Sequence, residues 1–124
     1  MDSILNSVKK LLGISAEDTS FDQDVAMHIN TTFAILSQIG VGPSTGFSIQ
    51  DSSTTWSDYL DDPLLVDMVR TYVYCRVRMQ FDPPQNSTLS EAIKNNISEL
   101  EWRMNVVIDH SKLNEDTKEG DDDG

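Results

Sequence analysis

The sequence predicts a mainly α protein: a small helical bundle of about four helices, with a long loop or short β-hairpin between the second and third. Three observations carry this reading. Apolar residues recur at helical spacing in four separate stretches, and cap or breaker residues mark the ends of these stretches. The one extended-looking segment is a run of about twenty residues rich in Gly, Ser and Thr. With 124 residues and 13.9 kDa there is room for one domain of ordinary size.

The first helix carries Ile4, Leu5, Val8, Leu11 and Leu12 on one face and stops at Gly13. The second is expected to open at Ser20, with Gln23 completing a capping box. Its stripe is Val25, Ile29, Phe33 and Leu36, and it ends near Gly40. The third starts from Asp62 as cap and Pro63 as first helical residue, and runs through Leu65, Met68, Val69, Tyr72, Val73, Val77 and Met79 to the breaker Pro83-Pro84. Apolar residues surround most of this helix, so it is expected at the centre of the bundle. The fourth pairs Thr88 with Glu91 as a capping box and carries Leu89, Ile93, Ile97, Leu100, Met104 and Val107. Between helices two and three, Phe47 and Ile49 alternate and Trp56 follows, which suggests a hairpin around Asp51-Ser52-Ser53.

Charge divides the chain into two parts. Acidic residues outnumber basic ones 21 to 9, for a net charge of -12. Residues 109–124 hold seven acids against Lys112 and Lys118, with Leu113 as their one large apolar side chain. Such a tail cannot offset its ordering entropy by burial and is expected to be disordered in the free protein, leaving residues 1–108 as the helical domain. The balance also argues against the usual nucleic-acid-binding design, which needs clustered Lys and Arg, and against binding to an anionic membrane. No apolar run is long enough to span a bilayer. The first residues lack the basic flank of a secretory signal, and the lone Cys75 has no internal disulfide partner, so synthesis in a reducing cytoplasm is expected.

No catalytic, cofactor-binding or metal-binding residue is expected. Gly42-Pro43-Ser44-Thr45-Gly46 matches the nucleophile-elbow pattern, but a helix precedes it, a proline sits inside it, and there is no parallel sheet to carry it. His28, His110 and Cys75 stand apart from one another, and Asp121-Asp122-Asp123 lacks the spacing of a calcium loop. The sequons at Asn30, Asn86 and Asn96 read as chance matches without a secretory signal.

Surface that binds protein remains. On the fourth helix Trp102 lies roughly 140–200° from the core stripe, either covered by another element or available as an anchor between subunits. Glu99 and Arg103 have the spacing of a supporting surface pair. On the third helix Arg70, Arg76 and Arg78 point in different directions and make no phosphate-binding stripe; acids on neighbouring helices or subunits are their expected partners. Phe47, Ile49 and Trp56 are apolar residues in a polar, glycine-punctuated stretch. The 40–61 segment is therefore expected to contact a neighbouring subunit or another protein.

Certain segments go further. The third helix runs into Arg76-Val77-Arg78-Met79-Gln80-Phe81-Asp82-Pro83-Pro84, followed by a polar spacer and a helix with Glu99-Leu100-Glu101-Trp102-Arg103-Met104. Upstream stand Gly46-Phe47-Ser48-Ile49 and Thr55-Trp56-Ser57-Asp58-Tyr59-Leu60. Over residues 1–108 this arrangement resembles the small head-to-tail connector (adaptor) proteins of long-tailed bacteriophages. The resemblance implies a helical subunit of a homo-oligomeric ring, typically a dodecamer, beneath the portal protein of the virion. Such a ring extends the DNA channel and offers a platform for the stopper or tail-completion protein, and DNA passes without specific binding. In such proteins C-terminal segments help grip the portal; the acidic end of this chain departs from that pattern, so no portal-contact residue is carried over. A strongly negative bore would suit a conduit that must not hold its DNA. The competing reading is an acidic DNA mimic that inhibits a nucleic-acid enzyme, although the carboxylates cluster at helix starts, in the loop and in the tail rather than along one face.

Overall fold

A computed structural model describes the backbone of residues 2–122 and the side chains of residues 2–109. It contains α1 (Ile4–Leu11), α2 (Asp22–Ile39), a single turn α3 (Trp56–Tyr59), α4 (Pro63–Phe81) and α5 (Ser87–Asp122). The long helices meet the expectation of a small bundle, with α4 packed against both α2 and α5, and α1 set against α2 and α4. Val69, Tyr72, Val73 and Val77 of α4 are fully buried, as are Val25, Ile29, Phe33 and Leu36 of α2. Burying each such side chain contributes roughly 1.5–3 kcal/mol, which outweighs any difference in helix propensity along these segments.

The helix ends show which local signals survive in the folded chain. Asp62 accepts from the amides of Leu64 and Leu65 at 3.1 and 3.4 Å, with Pro63 behind it, as expected. Gly40 closes α2 in the left-handed region (φ 102°), while Val41 N–H bonds back to the Leu36 carbonyl at 2.9 Å. Neither expected capping box forms. The cap of α2 is Phe21, whose side chain has no acceptor, and the Ser20 amide that a capping box would give to Gln23 is held by Asp18. At α5, Asn86 takes the amides of Thr88 and Leu89 at 2.8 and 3.3 Å, so the helix begins one residue before the Thr88–Glu91 box.

The expected hairpin is absent. Among the described residues the only extended pairing is an isolated antiparallel bridge between Ser3 and Thr55. The 40–61 segment is fixed instead by contacts with distant parts of the chain. Asn30 on α2 brackets Ile49, accepting its N–H at 2.7 Å and donating to its carbonyl at 2.9 Å, as a neighbouring strand would. Phe47, Phe33 and Tyr59 then pack edge-on or tilted, with ring centroids 4.6–5.2 Å apart. At Gly42 (φ 93°) a Cβ would fall 2.6 Å from the Tyr59 ring, so only glycine fits that crossing.

Lys9 is a core residue that the periodicity of α1 does not announce. Its ammonium donates to the carbonyls of Asp18 and Ala16 at 2.7 and 3.3 Å and lies 2.7 Å from Asp22, tying the 12–21 connection to the start of α2. The contact with Asp22 is ionic; its Oδ1 makes no hydrogen bond of good geometry. On the opposite flank of the stripe, Leu11 is 57% exposed, against its expected place on the buried face. The tail expected to be disordered falls, apart from Asp109, on side chains outside the described residues; the α5 backbone continues as helix to Asp122.

Candidate interaction surfaces

The three arginines of α4 have three separate settings. Arg70 reaches Asp2 at 3.3 Å and lies over the Trp56 ring, 5.6 Å from its centroid. Arg78 donates to the Tyr74 hydroxyl at 2.9 Å. Arg76 belongs to a closed triad that joins α4 to α5. Its Nε donates to the Tyr72 hydroxyl at 2.6 Å, its Nη2 donates to Glu101 at 2.9 Å, and the Tyr72 hydroxyl donates to the same Glu101 oxygen at 2.6 Å.

The electrostatics of this triad are coherent. Burial, together with the Glu101 acceptor, pushes the Tyr72 hydroxyl up to about 12 against the opposing pull of Arg76. For Glu101, burial is the largest single influence and acts upward, but the bonds from Tyr72 and Arg76 outweigh it and hold the carboxyl below its usual range. Arg76 is likewise disfavoured by burial yet raised overall by its bonds to Glu101 and Tyr72. The triad thus keeps its charged pair ionised and sets the rotation of α5 against α4.

That rotation decides what α5 shows to solvent. Met104 and Ile93 are buried, Ile97, Leu100 and Val107 are half-buried, and Leu89 is 43% exposed at the helix start. Trp102 stands away from the bundle at 66% exposure, uncovered by α1 or the long loop. Beside it Arg103 pairs with Glu99 at 2.8 Å, as the spacing indicated. Val106, one turn on, is half-buried, and Asp109 is exposed.

The other tryptophan and its loop companions lie elsewhere. Trp56 is 1% exposed and its indole N–H donates to Ser7 at 2.9 Å, Ile49 is 3% exposed, and Phe47 packs half-buried against the core. Their burial within the chain removes the reason for assigning these three residues to a contact with a neighbour. Of the seven residues singled out, the fold leaves Trp102 as the exposed aromatic and Arg70, Arg76 and Arg78 as partly exposed cations with partners in the same chain. The Tyr72–Glu101 link was missed, and its one local signal was the four-residue spacing of Tyr72 and Arg76 on α4.

Two surface depressions differ in charge. One, of about 590 Å³, lies along α1, with Leu11 and Ile14 in its wall and Lys10, Arg70 and Asp2 around it. The other, of about 670 Å³, follows the outer side of α2 past Met27 and is lined by uncharged residues alone. Ser44 is exposed in a turn closed by Gly46 N–H to the Pro43 carbonyl at 3.0 Å, on no strand-to-helix elbow. The side chain of His110, the other member of that pattern, lies outside the described residues. Burial pushes the Cys75 thiol up, as for a structural cysteine. Among the described residues no group of three or more His, Cys, Asp or Glu side chains could hold a metal ion. Nor is any helix there long and apolar enough to cross a membrane.

Among the described residues the chain shows no clustered metal ligands, and α5 carries Trp102 exposed beside the triad. The family model described as phage connector protein matches residues 4–111. The chain belongs to the phage connector protein family. Comparison with curated proteins and with solved structures finds no match. The match runs from the first residue of α1 into α5 past Asp109, so it spans every packed helix of the connector. Membership gives the chain a structural role as a virion component at the phage connector, in association with portal or tail proteins.

Proposed function

We propose that this connector forms a homo-oligomeric ring, dodecameric as in the proteins it resembles, docked beneath the portal. There it extends the DNA channel and presents the platform on which the stopper or tail-completion protein assembles. The observation that carries the reading is Trp102, a large aromatic left 66% exposed on a helix whose orientation is fixed from below by Arg76, Tyr72 and Glu101. An aromatic anchor on a rigid element suits a subunit contact, because little conformational entropy is lost when it is covered. The net charge of -12 supports a conduit role, since a negative wall repels the DNA that must slide past it. In this reading the chain takes no part in catalysis and needs no cofactor.

The test is cryo-electron microscopy of DNA-filled capsids with and without the protein. The expected result is a closed extra ring below the portal that appears only when the protein is supplied. Absence of that ring, together with tight one-to-one binding to a nuclease or polymerase, would replace the connector ring with the DNA-mimic reading.

A further inference from the structure

The charges around two of the exposed apolar features of this chain, Trp102 on α5 and Leu11 on α1, are complementary. We infer that the Trp102 ridge of one copy seats in the α1 groove of the next copy, as a head-to-tail contact. This rests on the ring proposed above and names its interface.

A closed ring needs two different patches on every subunit, placed on different sides of the molecule. On α5, Glu99, Trp102, Val106 and Asp109 follow one another at three- and four-residue steps and form a single ridge. It has an aromatic knob at its centre and a carboxylate at each end. Glu99 is shared with Arg103, whereas Asp109 pairs with no described cation. In the groove, Leu11 and Ile14 supply apolar wall, Lys10 forms no ion pair within the described residues, and Arg70, seated over the Trp56 ring, has one ion-pair contact, to Asp2 at 3.3 Å. Two cations against one acid make this depression locally positive on a chain of net charge -12. The larger α2 depression has no charge to offer the carboxylates of the ridge.

Placement agrees with the charges. Arg70 and Tyr72 are two residues apart on α4 and so point about 200° away from each other. Arg70 reaches Asp2 beside α1, and Tyr72 reaches Glu101 on α5. Ridge and groove therefore lie on opposite sides of α4. A contact between them cannot be satisfied within one chain, and it propagates from copy to copy.

The experiment uses full-length protein assembled on DNA-filled capsids, with Ser15→Cys in the exposed lip of the groove and Val106→Cys on the ridge, joined by a short bis-maleimide. The protein with its buried Cys75 alone serves as the background control. The double variant should give a ladder of cross-linked species beyond the dimer, while each single variant stays monomeric. Trp102→Ala in the double variant should reduce the ladder on the order of tenfold or more. Dimers from Val106→Cys alone would show a symmetric contact and overturn the inference. A ring visible by microscopy without a ladder would overturn it too, leaving the ring reading intact. Absence of any ring would remove both.

Discussion

Trp56 and Trp102 are the two tryptophans of the chain, and they occupy contrasting surroundings. Trp56 sits at the start of α3 with 1% of its surface exposed, its N–H on Ser7, the Phe33 ring 6.3 Å away and the Arg70 guanidinium above it. Trp102 stands on the outer side of α5 at 66% exposure, next to a surface ion pair. Burial of the first contributes to the folding of the chain itself. The apolar surface of the second remains available to whatever the connector binds. What separates them is a partner from far along the chain: Trp56 and Ser7 are 49 positions apart, and among the described residues nothing comparable folds back over α5 at Trp102.

The largest effect expected from this contrast is on folding. Trp56→Ala removes a fully buried ring, an indole hydrogen bond and the seat of Arg70, and it should destabilise the domain by about 3–5 kcal/mol. Urea denaturation followed by circular dichroism would measure this. A loss below about 1 kcal/mol would show that the 40–61 segment is less firmly packed than its contacts indicate. For the same reason, shortening that segment to a minimal turn should unfold the domain, not merely remove a docking surface.

The contrast also explains which features could be read from the sequence. Helix positions followed from stripes such as Val25, Ile29, Phe33 and Leu36, because periodicity is local and every member of that stripe is buried. The Asp62-Pro63 start of α4 was legible for the same reason. Neighbouring residues competed successfully with the two capping boxes: Asp18 holds the Ser20 amide, and Asn86 stands one position ahead of α5. Alternation of Phe47 and Ile49 resembled a strand, but the partner that satisfies Ile49 is the Asn30 side chain on a helix, not a second strand. Lys9 and Leu11 flank the α1 stripe at similar angles, and hydropathy alone places the leucine inside. The structure reverses this because carbonyls from the 12–21 connection and Asp22 converge on Lys9. Trp102 was recognisable as off-stripe, yet whether it was covered depended on contacts that no local pattern reports.

A smaller effect tests the device that aims Trp102. Glu101→Gln keeps the shape of the triad but removes the charge, and with the pair about one-third exposed the loss should be about 1 kcal/mol at neutral pH. Its sign with pH is defined. Glu101 is held below its usual range in the folded chain, so its contribution is present above the ordinary carboxyl value and fades as pH falls through the lower, folded one. The wild type and Glu101→Gln should therefore differ near pH 7 and converge under acid. A difference that persisted at low pH would mean that the charge of Glu101 is not what stabilises the α4–α5 contact.

The smallest expected effect on stability belongs to the residue with the largest expected effect on assembly. Trp102→Ala deletes a side chain that is mostly in water and covers little of the core, so the isolated domain should change by no more than about 0.5 kcal/mol. A midpoint of denaturation matching the wild type, combined with loss of the connector from DNA-filled capsids, would show that the ring's energy serves association and not folding. Trp102→Phe separates size from aromaticity in the same assay. It should retain part of the assembly, because a smaller ring still fills part of a groove walled by Leu11 and Ile14. If Trp102→Ala instead lowered stability as much as Trp56→Ala, the two tryptophans would be doing the same work, and the exposed ridge of α5 would lose its standing as a contact surface.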